Sequence, residues 1–198
     1  MAYDKAFYDM YREYLREESV RTSHNFVFEQ FLRTASLPIK VIDLGCGLSE
    51  FYWHGLRSYY LGVDLNMPNY PEGFLPVVQA DYHDLDTVKK QLHFTPSVFV
   101  SLFSVECFHS AVERYAFYER VFKEFPDINF GLVSGFFYES KRDQETVGET
   151  GGIVSYQTIE NPSLHISNTF TELRLHVRTP SKMFGPDVVE VWKIFIRR

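Results

Sequence analysis

The sequence predicts an α/β fold: a doubly wound, mostly parallel seven-stranded sheet with an antiparallel C-terminal strand and helices on both faces. Three observations carry this expectation. From residue 39 onward, short apolar runs alternate with helical periodicities, the pattern of β-α-β units joined by right-handed crossovers. The first run, Val41-Ile42-Asp43-Leu44, leads directly into Gly45-Cys46-Gly47. A strand entering a Gly-x-Gly turn brings bare backbone against a ligand. After Gly135 the pattern changes, and residues 173–178 and 189–195 alternate strictly with period two, as paired antiparallel strands do.

Composition narrows the class. A chain of 198 residues with 45% hydrophobic content can build one core. The expected division is a helical cap over residues 1–38 and a main domain over 39–198. No apolar run approaches the roughly 18 residues of a membrane span. Met1-Ala2-Tyr3-Asp4-Lys5 lacks the basic start and apolar core of a secretory signal. Two cysteines, Cys46 and Cys107, suggest reduced thiols and a cytoplasmic setting, not a disulfide framework. A net charge of −6 argues against bulk nucleic acid as partner. The aromatic content of 17% reflects either aromatic packing or a partly aromatic pocket.

Taken in order, residues 4–18 place Phe7, Met10, Tyr11, Tyr14 and Leu15 at helical spacing. A second helix has Ser23 as its expected N-cap and Phe28, Phe31 and Leu32 on one face, and Pro38 ends the region. These helices either pack on the sheet or form a flap offering Tyr11, Tyr14, Arg21 or His24 to a ligand. Strands follow at residues 39–44, 59–63, 75–80, 98–103 and 128–134. Ser49 is placed to cap a helix through residue 56. Pro68, Pro71 and Gly73 make the crossover at 65–73 a loop. Asp84 caps a helix carrying Leu85, Val88 and Leu92, and residues 111–125 form another with Tyr115, Tyr118, Val121, Phe122 and Phe125 inward. The polar stretch 138–152 is a candidate lid, and residues 154–159 read as a short strand.

In such sheets ligands bind beyond the carboxyl ends of the strands. Asp43, Asp64, Asp81 and Ser101 all fall at those ends. The acid before the glycine turn discourages the phosphate that such a turn normally accepts, and suits a cationic ligand.

These residues resemble the class I S-adenosylmethionine-dependent methyltransferases over residues 39–134. The matching pieces are Val41–Gly47, Gly62-Val63-Asp64-Leu65, Val78-Gln79-Ala80-Asp81-Tyr82 and Val100-Ser101-Leu102-Phe103-Ser104-Val105-Glu106. A lone Gly-x-Gly is weak; three acids ending three successive strands are specific. The resemblance implies S-adenosyl-L-methionine as cofactor. It implies that Gly45, Cys46 and Gly47 let backbone approach the methionine and ribose, with Asp43 toward the ammonium and sulfonium. Asp64 would accept from the ribose hydroxyls and Asp81 from the adenine amino group, with the Tyr82 backbone nearby. Leu65 and Met67 would pack on adenine, and the Ser101 carbonyl would accept from the ammonium. Ser49 stands where a third glycine is usual, Ser97 where the fourth strand often begins with an acid, and the helix after the second strand looks eroded. Asp64 and Asp81 as mere turn or cap residues is the plainer alternative. A nicotinamide-binding domain shares the glycines and the second-strand acid, but Asp43, Asp81 and the antiparallel tail favour the methyl donor.

The implied activity is methyl transfer to an oxygen or nitrogen of a small-molecule acceptor, without metal. The seven histidines are scattered and make no evident ligand cluster. Glu106 and His109, just past the fourth strand, are candidate bases by position, with local capping roles as the alternative; Tyr138 is a third. The Asn/Asp-Pro-Pro-Tyr signature of nucleobase amino methylation is replaced by Ser101-Leu102-Phe103-Ser104. Tyr52, Trp53, Phe103 and Phe108 with Glu106 can line a pocket for a neutral or cationic acceptor. A second class of function is a catalytically inactive methyltransferase-like protein that binds cofactor or a protein partner.

Overall fold

The structure is a computed structural model, and it describes residues 5–35, 39–47, 59–65, 76–104, 108, 111–138, 145–147, 153–155, 157–158, 167–177 and 188–198. Two helices, α1 (Lys5–Arg16) and α2 (Glu18–Thr34), precede β1 (Val41–Leu44), β2 (Tyr60–Asp64) and β3 (Val77–Gln79). Then come α3 (Leu85–Gln91), β4 (Val98–Leu102), α4 (Ala111–Glu124) and β5 (Phe130–Tyr138). The C-terminal part holds β6 (Glu145–Val147), β7 (Ile153–Ser155), β8 (Gln157–Thr158), β9 (Phe170–Val177) and β10 (Val188–Arg197). No helix among the described residues is long and apolar enough to cross a membrane.

The main sheet runs β3-β2-β1-β4-β5-β10-β9. The first five strands are mutually parallel, and β10 is antiparallel to both β5 and β9. This is the expected mostly parallel seven-stranded sheet with an antiparallel C-terminal strand; the two-residue β8, parallel to the end of β5, adds an eighth strand. The order reverses between β1 and β4, which opens a crevice at their carboxyl ends.

Both faces of the sheet are covered, so its central strands are continuous apolar runs. Val41, Val98, Val100, Leu132, Trp192 and Ile194 pack under α1 and α2. Ile42, Leu44, Phe99, Val133, Phe137 and Phe195 pack against α3 and α4. Asp84 caps α3 as expected, accepting from the Thr87 backbone and hydroxyl at 3.2 and 2.6 Å. The Thr87 donors hold its carboxyl below the usual carboxylate range. A depressed carboxylate stabilises the fold above its unfolded value, and the effect is lost as pH falls through the folded one.

Several boundaries differ from the sequence expectation. Helix α2 begins at Glu18, not after Ser23, because Glu17 alone is extended (φ −63, ψ 132) and separates it from α1. The longer helix buries Val20, His24, Val27, Phe28 and Phe31, a stripe at i, i+4, i+7, i+8 and i+11. Leu32 consequently points outward, as does Met10 of α1, where Tyr8, Tyr11, Tyr14 and Leu15 are the buried set. Strand β5 runs through Gly135 to Tyr138, because β10 pairs with it from Val188↔Tyr138 to Ile196↔Phe130. The polar stretch contains β6, paired antiparallel with β7, and the single strand expected at 154–159 is two, β7 and β8. The helix expected from Ser49 to residue 56 lies outside the described residues, as does most of the loop at 65–73.

Gly131 shows how tightly the sheet is filled. A Cβ there would lie 2.2 Å from Phe99 Cε1. The Phe99 ring is itself held by Tyr118, Phe122 and Phe195, so it has nowhere to retreat. Gly131→Ala is expected to cost about 1–3 kcal/mol by overpacking. Thermal unfolding should show a drop of roughly 3–10 °C, partly recovered by adding Phe99→Leu.

Candidate functional site

The crevice begins where β1 ends. Gly45 and Gly47 take φ of +77 and +41, a region that glycine enters without steric cost. The Gly45 and Cys46 N–H groups donate to the Val63 carbonyl at 2.8 and 3.1 Å, which fastens the turn to β2. A Cβ on Gly45 would meet Ser104 Cβ at 3.1 Å and Tyr82 Cε1 at 3.2 Å. Cys46 is buried over Gly62, whose absent side chain leaves room for its sulfur.

Asp64, at the carboxyl end of β2, is half-buried and accepts from the Gly47 N–H at 2.9 Å. The turn and the second-strand acid are thereby joined, with Leu65 exposed beside them. Asp43 is fully buried and accepts from the Tyr60 hydroxyl at 2.8 Å. It sits behind the turn, on the side of α1 and α2.

Asp81 follows β3 and is half exposed at 52%. Its Oδ1 accepts from the His83 backbone at 2.9 Å and lies 3.0 Å from His83 Nδ1. Asp81 is therefore a turn residue and a strand-end acid together. The Tyr82 ring is buried against Gly45 and stacks on His83 at 4.4 Å between centroids. Ser101 is buried in β4, and its hydroxyl meets that of Ser104.

Past β4 the chain makes an unusual turn. Phe103 has φ of +52, a left-handed conformation that costs a non-glycine residue of order 1–3 kcal/mol. Its N–H donates to the Ser134 carbonyl at 2.9 Å. The turn points the Phe103 ring to the α1/α2 side, onto Phe136 at 4.8 Å and Tyr11 at 5.5 Å. Phe108 lies on the opposite face, with Tyr82, Phe117 and Tyr118. The expected single pocket holding both Phe103 and Phe108 is therefore not formed. Its other members, Tyr52, Trp53 and Glu106, lie outside the described residues, as do His109, Ser49 and Met67, while Tyr138 is placed only as the last residue of β5.

Helix α1 borders the glycine turn. Tyr8 lies 3.6 Å from where a Gly47 Cβ would be. Beneath α1 and α2 is a buried polar cluster that sequence reasoning did not assemble. Glu190 of β10 accepts from the Tyr14 hydroxyl at 2.9 Å and from the Trp192 indole N–H, and lies 2.7 Å from His24 Nε2. The His24 and Glu190 side chains are 2% and 0% exposed. The readable signal was register: Glu190 shares a strand face with Trp192 and Ile194, where a carboxylate is costly without partners. Tyr60, His83 and Ser104 were also missed; no local pattern distinguishes them from ordinary strand and turn residues. Among the described residues, no group of three or more His, Cys, Asp or Glu side chains is placed to hold a metal ion.

Solved structures with this architecture are numerous. Magnesium protoporphyrin IX methyltransferase from Synechocystis PCC 6803, determined with bound SAM, superposes with a TM-score of 0.58 at 14% identity, over 98% of this chain and 92% of that one. The chain has the class I methyltransferase fold. A SAM-dependent methyltransferase from Archaeoglobus fulgidus gives a TM-score of 0.56 at 13% identity, covering 96% and 100% of the two chains. The 1,6-didemethyltoxoflavin-N1-methyltransferase of Burkholderia thailandensis, with bound 1,6-didemethyltoxoflavin and S-adenosylhomocysteine, gives a TM-score of 0.56 at 17% identity, covering 97% and 84%. No protein-family model and no curated protein matches the sequence.

The Asp43–Tyr60 contact is open to direct measurement. A hydrogen bond from a neutral donor to a buried carboxylate is worth about 1.5–3 kcal/mol. Tyr60→Phe should lower unfolding stability by that amount in urea titrations, with the far-UV spectrum unchanged.

Proposed function

We propose that the protein is an S-adenosylmethionine-dependent methyltransferase acting on an oxygen or nitrogen of a small-molecule acceptor, with no metal. The observation that carries this reading is the 2.9 Å bond from the Gly47 N–H to Asp64. It sets a bare-backbone turn and a hydrogen-bonding carboxylate on one rim of the crevice. The turn fits the cofactor because a side chain at Gly45 would fill the space beside Ser104 and Tyr82.

The cofactor supplies a cationic sulfonium methyl with a neutral thioether as leaving group. Alignment and exclusion of water are then the main demands on the protein, and a metal is not required. In this reading the backbone of Gly45, Cys46 and Gly47 lines the methionine and ribose. Asp64 binds the ribose hydroxyls through charge-assisted hydrogen bonds. Asp81, with Oδ1 held by His83, turns its other oxygen to the adenine amino group beside the Tyr82 backbone and Leu65. The Ser101 carbonyl accepts from the ammonium, and buried Asp43 adds negative charge behind the sulfonium side. Helices α1 and α2 shield the reacting groups from water. Glu106 and His109, four and seven residues past the end of β4 in sequence, are the candidate bases by that position alone.

Thermal unfolding with S-adenosylhomocysteine tests the cofactor assignment. At 100 times its dissociation constant a ligand stabilises by about 2.7 kcal/mol, a rise of roughly 5–10 °C at this chain length. Asp64→Ala should remove most of that rise. No rise at millimolar ligand overturns the reading. A rise with no labelled product across a broad acceptor screen points instead to a binding protein.

A further inference from the structure

One oxygen of Asp81 faces two nitrogens, and both belong to His83. Resting on the reading of Asp81 as acceptor for the adenine amino group, we infer that His83 is a positioning residue for base selection. It pins the Asp81 carboxylate, so that the site selects a base with an exocyclic amino group over one with a carbonyl in that place.

Three observations carry this. The first is the pair itself. The His83 N–H donates to Asp81 Oδ1 at 2.9 Å, and His83 Nδ1 lies 3.0 Å from the same oxygen. The backbone bond is enough to close the turn after β3, so the ring contact is additional to it. Rotation about the Asp81 Cβ–Cγ bond would carry Oδ1 away from both nitrogens. Together they fix where Oδ2 lies. The Asp81 side chain is half exposed, and among the described residues no donor reaches Oδ2. The Ala80 N–H donates to the Asp64 carbonyl at 3.0 Å, which keeps this rim beside the second-strand acid.

The second is the tautomer. A neutral imidazole has one N–H, and an Nδ1 lone pair would repel the carboxylate oxygen it faces. The hydrogen is therefore on Nδ1. Nε2 is buried and has no hydrogen-bond partner among the described residues. A hydrogen placed there would be stranded, and the pair with Asp81 would be lost as well.

The third is the grip on the ring. Tyr82 stacks on it at 4.4 Å between centroids, and Phe108 and Phe117 meet it edge to face at 5.0 and 5.2 Å. Arg120 of α4 donates to the His83 carbonyl at 3.4 Å. Phenylalanine would serve such packing equally well. Among the described residues the ring's one polar contact is Asp81.

The chemistry follows from the carboxylate, which accepts hydrogen bonds and does not donate. An amino group gives it a hydrogen, whereas a carbonyl oxygen in that place repels it. A hypoxanthine base also carries a hydrogen on the neighbouring ring nitrogen. A carboxylate free to swing can follow that hydrogen; a pinned one is set for the amino group.

Calorimetric titration of the whole chain with S-adenosylhomocysteine and S-inosylhomocysteine tests this. Wild type is expected to prefer the adenosyl ligand by about tenfold or more. His83→Phe keeps a ring against Tyr82, Phe108 and Phe117 without a donor, and the preference should fall to about threefold or less. His83→Asn loses the ring but puts an amide N–H near the place of Nδ1, and should keep a preference within about twofold of wild type. A role confined to packing predicts the opposite order, with Phe like wild type and Asn impaired. A further readout needs no ligand. Nitrogen NMR of wild type in mildly alkaline buffer, with His83 assigned by its loss in His83→Asn, should show the hydrogen on Nδ1 and none on Nε2. No binding of S-adenosylhomocysteine to wild type would overturn the cofactor reading. Binding with no preference, or with one that survives Asp81→Ala, would overturn the Asp81 assignment and this proposal with it. A preference lost in Asp81→Ala yet kept in His83→Phe, or a hydrogen on Nε2, would overturn the proposal alone.

Discussion

The hydrogen bond from the Gly47 peptide to Asp64 is the contact around which the crevice is arranged. It ties the end of β1 to the end of β2 across two left-handed glycines. The Val63 carbonyl holds the same turn from below. Together these contacts leave the glycine backbone with little freedom, so the crevice is shaped before any ligand arrives. Preorganisation of this kind reduces the ordering cost of binding. It also explains why the neighbouring contacts are close: Ser104, Tyr82 and Tyr8 all approach the glycines from different elements.

Beneath the turn, the double coverage of the sheet decides what each residue can do. A strand buried on both faces has no solvent side on which to place a charge. Strand β10 nevertheless carries Glu190 and Lys193, 1% and 4% exposed, on opposite faces. Each is accommodated by partners from elsewhere in the chain. Glu190 is met by Tyr14 and His24 from the N-terminal helices, and by Trp192. Lys193 donates to the Tyr115 hydroxyl at 3.0 Å, lies 3.7 Å from Glu172, and sits over the Tyr115 and Phe137 rings. Removing one partner of such a cluster strands a buried charge, which is why these positions constrain the fold more than their number suggests.

The two faces thus divide the work. The α3/α4 side is an aromatic core: Phe99, Tyr118, Phe122, Phe170 and Phe195 interlock edge to face and in stacks. The α1/α2 side mixes aromatic rings with carboxylates, and it borders the glycine turn. The left-handed turn at Phe103 sends that ring to the mixed side. Had the chain continued as a regular strand, Phe103 would have alternated to the other face after Leu102, and the wall beside His24 would be missing.

The parallel strands, their order of appearance, the glycine turn and the strand-end acids were legible in the sequence, because each is a local pattern. An apolar run, a Gly-x-Gly and an acid at a run's end need no knowledge of distant residues. Asp84 was legible as a cap for the same reason: its partner is Thr87, three residues on. The start of α2 was misjudged because Ser23 is a good capping residue, whereas the break at Glu17 depends on how α1 and α2 lie on the sheet. The full length of β5 required β10 as partner, 50 residues or so away in sequence. By itself the sequence determined the scaffold and the glycines and acids at the strand ends. Tertiary structure alone decided which face Phe103 joins, that Tyr60 holds Asp43, and that His24 meets Glu190. Those contacts link residues distant in sequence: the pairing of β1 with β2 brings Tyr60 to Asp43, and the packing of α1 and α2 on the sheet brings His24 to Glu190 and Tyr11 to Phe103.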